Sequence, residues 1–410
     1  MSRARAAQVF LAFAFTYFFS ALLRAVTATL APAFSVELGL HAGDLGLLAG
    51  AYFFGFAAMQ LPLGRALDRL GPRRVIAAML VLAMIGCAAF AVARSLQALV
   101  AARVLIGIGV AACLMAPLTC FRRLFSATTQ LRANSWMLMT GSCGMVASTL
   151  PVQWLLPVVG WRGLFWALAG LLGVAMLVIL WWVPRDPPAL KAPHGAPDGA
   201  YARIVRNPLF LRLAPLGFTL YGGMIAVQSL WAGPWLTRVA GWSPGAAAQG
   251  LFFINLGMLF TFMTWGMLMP RLMRRGVGAI PLMTWGVPLS LLLLGANVLL
   301  GPHATALNWA LWCISSTVMS LSLPAVGQAF AAELAGRALS AFNLIIFGGV
   351  FCVQWGIGLA VDALVARGLG EPTAFRVAFG LFWLSCVLAY LAFVMAPRVR
   401  VDNVCSPGRP

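Results

Sequence analysis

Charge is what this 410-residue chain has least of: 9% of its residues are Asp, Glu, Lys or Arg, where a water-soluble domain carries about 25%. Acids are the scarcest. The nine are Glu37, Asp44, Asp68, Asp186, Asp198, Glu333, Asp362, Glu371 and Asp402, and none lies in the middle of an apolar run, Asp362 coming nearest. The three His (His41, His194, His303) lie between runs. With no Ser/His/Asp set, no nucleotide loop and no clustered acid or His, the chain is not expected to be an enzyme, and no cofactor is expected. The eight Cys fall in or at the ends of apolar runs, except Cys405 in the C-terminal tail. None is placed to pair across an external loop, so no disulfide is predicted. Alternation of apolar and polar residues is also missing, which excludes an outer-membrane barrel.

What is present is lipid-compatible surface: 62% apolar residues and a mean hydropathy of +0.93. Twelve runs are about 20 residues or longer, the length that crosses a hydrocarbon core of about 30 Å. They cover 8–34, 45–64, 75–94, 98–119, 133–156, 164–183, 210–236, 247–270, 279–300, 305–330, 340–362 and 374–396. Each is predicted to be a helix, because backbone groups in lipid must be satisfied within the segment.

The net charge of +19 would point to nucleic acid in a soluble protein. Position excludes that reading. Of the 28 basic residues, 21 fall in the tails and the loops on the side of the N-terminus, and 5 (Arg94, Arg162, Arg238, Arg367, Arg376) fall in the opposite loops. This is the positive-inside bias, so both termini are expected in the cytoplasm. Arg24 and Arg103 remain, and both lie inside runs.

A proline-rich stretch, 184–208, separates runs six and seven and reads as a linker. It divides the chain into a six-helix bundle at 1–183, a second at 209–396 and a tail at 397–410. The halves echo each other. Ala31-Pro32 and Gly233-Pro234 stand 202 apart, as do Gly64 and Gly266, while Val152-Gln153-Trp154 recurs at Val353-Gln354-Trp355 with an offset of 201. Duplicated units of this kind are found in transporters that rock two repeats about a midplane site.

Between runs two and three the chain reads Gly64-Arg-Ala-Leu-Asp68-Arg69-Leu-Gly71-Pro72-Arg73-Arg74. Gly64 and Gly71 are expected to allow a tight reversal and Asp68 to accept from exposed amides. Gly64, Asp68, Arg69, Gly71, Arg73 and Arg74 resemble the signature loop of the major facilitator superfamily, with Pro72 where a first basic residue is usual. Arg103-Val-Leu-Ile-Gly107-Ile-Gly109 resembles a second pattern of that family. Twelve runs, a central linker and the half repeat extend the resemblance over nearly the whole chain. It implies an all-α integral membrane protein of two pseudo-symmetric six-helix bundles. The family's loop Asp contacts the eleventh helix as a gate, and here that helix would begin at Ser340, read as an N-cap. A Gly-Pro pair in the fifth helix, usual in the family's drug antiporters, is missing from Gly141-Ser-Cys-Gly144, which weighs against a multidrug exporter.

A charge deep in a bilayer is expensive and therefore a functional candidate. Thr16, Ser20, Arg24 and Thr27 share one helical face, with Tyr17 beside it. That face belongs to a cavity or a helix interface; Arg24 is either a substrate anchor or a structural Arg bonded to neighbouring helices. Arg103 lies one to two turns from the external end of run four, where snorkelling is open to it; it is grouped with the gate. Tyr52 and Gln60 on run two, Tyr221 and Gln228 (seven apart on run seven), Asn255, Trp312, Ser316, Asn343 and Gln354 are uncharged candidates for the wall, although such residues more often bond a neighbouring helix than a ligand. An electropositive site without a carboxylate favours an anion: an organic acid, a phosphate ester or an anionic chelate. Met263 and Met267, one turn apart, offer Cu(I) transport as an alternative, beside a drug or metabolite exporter and a membrane-embedded sensor. The reading is a monomeric secondary transporter of a bacterial inner membrane, with a small solute and lipid as its partners and no nucleic acid.

Overall fold

Apolar runs of this length leave the backbone one solution in hydrocarbon, and the chain adopts it. The computed structural model describes residues 3–185, 200–330 and 332–396, which are helical with no strand among them. The helices are α1 (Arg3–Leu38), α2 (Ala42–Ala58), α3 (Gln60–Leu70) and α4 (Pro72–Val92); α5 (Leu96–Leu124); α6 (Ala127–Ala147), α7 (Leu150–Trp182) and α8 (Ala200–Val205); α9 (Pro208–Val239), α10 (Pro244–Arg274) and α11 (Ala279–Leu300); then α12 (Ala306–Gln328), α13 (Ala332–Ala366) and α14 (Glu371–Met395).

Ten of these are long and apolar enough to cross a membrane, or eleven when α2 and α3, bent by 41° at Met59, count as one span. The expected fifth and sixth runs part at Gly160. The polar stretch Thr128-Thr-Gln-Leu-Arg132 opens α6, which is not among those spans. Run five continues past α6 into the first part of α7, and Gly160, at φ 62° and ψ 171°, breaks α7 into two helices between runs five and six, a conformation glycine adopts without Cβ strain. Of the expected linker, residues 186–199 lie outside the described residues, as does the tail 397–410.

Helix starts follow local chemistry. Ser95 accepts from the Ala98 amide and Ser243 from that of Ala246, each at 3.3 Å, and the Asn207 side chain accepts from Leu209 (2.9 Å) and Phe210. These caps satisfy amides that have no partner inside the helix. Two expectations are corrected. The helix containing Ser340 begins eight residues earlier, so Ser340 is not its cap. Gly64 is helical within α3, and the reversal rests on Gly71 alone, at φ 82°.

Buried apolar side chains separate into two cores. The first is built almost wholly from residues 9–183, around Phe34, Phe90, Trp161 and Phe165. The second draws on residues 204–393, around Trp235, Trp309 and Phe379. One irregularity marks the second: α9 contains three five-residue π-helical turns, Gly217–Tyr221, Val227–Trp231 and Trp235–Val239, and such wide turns concentrate at functional sites.

Candidate functional site

Arg24 projects from α1 at the edge of the first core, where α13 packs against it. Its guanidinium carbon lies 5.7 Å from the Phe56 ring centroid on the N-terminal side and 6.0 Å from that of Phe347 on α13. Tyr17 and Tyr52 lie within hydrogen-bonding and electrostatic reach of it, and Tyr221 of α9 is in electrostatic range of both Arg24 and Tyr17. The Arg24 Nε is buried without a partner. Among the described residues no carboxylate interacts with it. The structure thus brings Tyr17, Tyr52 and Tyr221 together around Arg24, while the Ser20 Oγ, one turn earlier on α1, is buried without a partner. Thr16, on the same face, instead bonds its own helix at the Ala12 carbonyl, 2.9 Å away.

Tyr52 joins this group to Arg103. Its hydroxyl donates to the Ser20 carbonyl at 3.3 Å, and the Arg103 guanidinium carbon sits 5.0 Å from its ring centroid. Arg103 does not snorkel. It is fully buried, with Nη1 donating to the Leu23 carbonyl at 2.9 Å, while Nε and Nη2 have no partner. The inward course follows from packing: a Cβ on Gly107 would lie 2.0 Å from the Tyr52 carbonyl, so α5 and α2 touch backbone to backbone and leave the long side chain only the interior.

Gln60 reaches the Phe56 carbonyl of its own bent span at 3.4 Å, and candidates on the second half bond neighbouring helices. Gln228 donates to Asn255 Oδ1 at 2.8 Å, and Gln354 donates to Ser229 Oγ at 3.0 Å, tying α13 to α9. Gln354 is fully buried and its Oε1 has no partner. Trp312 lies inside the second core beside Trp309, its carbonyl accepting from Ser316, which also bonds Ser290 at 2.6 Å. Met263 and Met267 are 42% and 61% exposed on α10, away from both cores.

At the arginine-rich end, Arg73 donates to the Leu180 carbonyl in the last turn of α7, where a cation complements the helix dipole. Arg123 reaches the Leu67 carbonyl at 3.4 Å. Gly64, Arg65, Arg69 and Arg74 are exposed; the Asp68 side chain lies outside the described residues.

Sequence reasoning missed the opposite, arginine-poor end. There the Asp362 carboxylate accepts from the backbone amides of Ala42 (3.1 Å) and Gly43 (2.7 Å) at the start of α2. Arg238 donates to Ser35 at 2.6 Å and to Glu371 at 3.0 Å. A cavity of about 210 Å³ lies beside it, lined by Pro32 and Pro234, the pair 202 apart in sequence. A Cβ on Gly46 would lie 2.4 Å from the Gln354 carbonyl oxygen, and one on Gly358 would lie 2.4 Å from that of Ala42. The signal was in the sequence: Gly43, Gly46 and Gly50 mark one face of α2 at spacings of three and four.

Comparison with known proteins adds the following. A sequence model of the Major Facilitator Superfamily matches residues 13–353. A chloramphenicol resistance protein of Streptomyces lividans is 31% identical over 222 residues, 52% of this chain and 54% of that protein; the chain spans about half the length of that curated relative. Among solved structures, an inward-facing, occupied bacterial homolog of the human lysosomal transporter Spinster superposes with a TM-score of 0.80 at 18% identity, over all of both chains. A D-xylose-proton symporter gives 0.77 at 15% identity, covering 95% of this chain and 97% of that one. The nucleoside transporter NupG gives 0.72 at 13%, covering 95% and 98%.

Proposed function

Because the chain belongs to the Major Facilitator Superfamily and is a multi-pass membrane transporter of solutes rather than an enzyme, we propose that it carries a small anion by alternating access, with Arg24 as the anchor. The observation that supports this is the setting of Arg24: flanked by Phe56 of α2 and Phe347 of α13, surrounded by phenols, and met by no carboxylate among the described residues. A cation in such a place attracts a substrate carboxylate or phosphate because nothing else neutralises it. Under this reading the chain is two six-helix bundles, 1–183 and 209–396, with twelve spans, cytoplasmic termini and a monomeric state in a bacterial inner membrane. Gly64, Asp68, Arg69, Gly71, Arg73 and Arg74 then form the cytoplasmic gate. Tyr17, Ser20, Tyr52 and Tyr221 are substrate contacts, and the bonded set Gln228, Asn255, Gln354 and Trp312 backs the second wall.

Transport into proteoliposomes tests the anchor. Arg24→Ala abolishes uptake of the anion that stabilises the wild-type protein in a thermal-shift panel, and Arg24→Lys retains part of it. Equal rates in all three proteins sink the reading.

A second reading rests on the Streptomyces lividans relative: export of a neutral aromatic drug. Chloramphenicol protection of cells expressing the chain, undiminished by Arg24→Ala, supports it over the first. Stabilisation by Cu(I) alone, lost on Met263→Leu with Met267→Leu, supports metal transport instead.

A further inference from the structure

We infer that Asp362 is a latch that holds the arginine-poor end closed by bonding the start of α2. The first amides of a helix have no partner inside it and carry its positive dipole end. In α2 the local residues serve only the turn before: Asp44 accepts from the His41 amide at 3.0 Å. The amides of Ala42 and Gly43 go to Asp362, some 320 residues away on α13, one to each carboxylate oxygen. Steric fit makes this junction specific. A Cβ at residue 43 would lie 2.6 Å from Asp362 Oδ2; one turn further on Gly46 meets the Gln354 main chain, and a turn beyond that Gly50 meets the Phe351 ring.

The contact joins a helix of the first core to a helix of the second, so it exists only while these ends are together. Parting them returns two amides and a carboxylate to water. Asp362 therefore stabilises one state of the cycle and not the other, and it does so at the opposite end of α2–α3 and α13 from the Asp68 loop. Its role is positioning, without contact to solute. The inference rests on the alternating-access reading, and the test separates the two.

Double electron–electron resonance on the full chain in lipid nanodiscs, with the exposed Cys143 and Cys352 and the tail residue Cys405 replaced by Ser, measures both ends. Labels at Val36 and Leu307, 89% and 67% exposed, report the arginine-poor end. Labels at Leu70 and Met273, 56% and 48% exposed, report the other. Asp362→Ala raises the open population at the first pair and the closed population at the second by about tenfold, the factor that a charge-assisted hydrogen bond carries. Asp362→Asn and Gly43→Ala shift both pairs the same way by less, and they carry the test should Asp362→Ala not fold. Asp44→Ala, which removes a cap on the same helix start, leaves both distributions unchanged. Two populations that ignore every substitution at 362 and 43, or that respond equally to Asp44→Ala, overturn the latch alone. A single fixed distance at each end in every protein overturns alternating access and the latch with it.

Discussion

Arg103 stacks 5.0 Å from the ring of Tyr52, whose hydroxyl turns away toward the Ser20 carbonyl and Arg24. One phenol thus serves two buried cations with two different parts of itself. Tyr52→Phe keeps the ring against Arg103 and removes the hydroxyl, so it is expected to weaken binding of an anionic solute several-fold at a stability cost of about 1 kcal/mol. Tyr52→Ala also removes the ring, and the loss grows to about 3–5 kcal/mol. Thermal unfolding and solute titration on both variants separate the two roles.

Gln228 and Asn255 form the buried pair whose functional meaning is most open to measurement. Gln228→Leu alone strands the Asn255 carbonyl and is expected to cost about 0.6–1.7 kcal/mol, the range of such bonds between membrane helices. Adding Asn255→Leu recovers most of that, because an apolar pair needs no partner. Transport that recovers with stability assigns the pair to helix packing; transport that stays low assigns Gln228 to the solute.

Glycines divide by what stands over them. Gly107→Ala puts a methyl 2.0 Å from the Tyr52 carbonyl and Gly144→Ala puts one 2.2 Å from that of Phe18, and each is expected to destabilise by about 1–3 kcal/mol. Gly170 and Gly356 have nothing within 4 Å, so alanine there is neutral or stabilises by up to about 1 kcal/mol through helix propensity. Melting temperatures of the four variants check the order.

Arg73 and Arg74 are neighbours with unlike surroundings, one bonded to the Leu180 carbonyl and the other exposed. Arg73→Ala is expected to lower the melting temperature, since the end of α7 loses its charged donor. Arg74→Ala is expected to leave the unfolding free energy within about 0.5 kcal/mol of wild type.

The helical class was legible in residue type and spacing, and so was Arg24 as a charge inside an apolar helix with Tyr17 beside it; that Tyr52 and Tyr221 come to it from other helices was not. Spacing failed where the helix is not α-helical. Tyr221 and Gln228, seven apart, share a face only at 3.6 residues per turn; the π-helical turns of α9 add residues to the winding, and Tyr221 is directed to Arg24 while Gln228 bonds Asn255. Arg103 was misjudged because one sequence does not reveal that Gly107 brings two backbones together and closes the outward route. Asp362 looked like a rim charge because its partners are main-chain amides, which leave no mark in side-chain patterns; the glycines at 43 and 46 were the available trace.

The seam between α2 and α13 is surfaced at its arginine-poor end by Gly46 and Gly358 against main chain and by Gly43 against the Asp362 carboxylate. Glycine has no rotamers to surrender. At these three positions docking freezes no side-chain rotamers, so closing that end costs less side-chain entropy than a seam of long side chains would. Its equilibrium is then governed by a few polar contacts and responds steeply to small enthalpic differences, which is the behaviour required of an element that must settle on either side within every turnover.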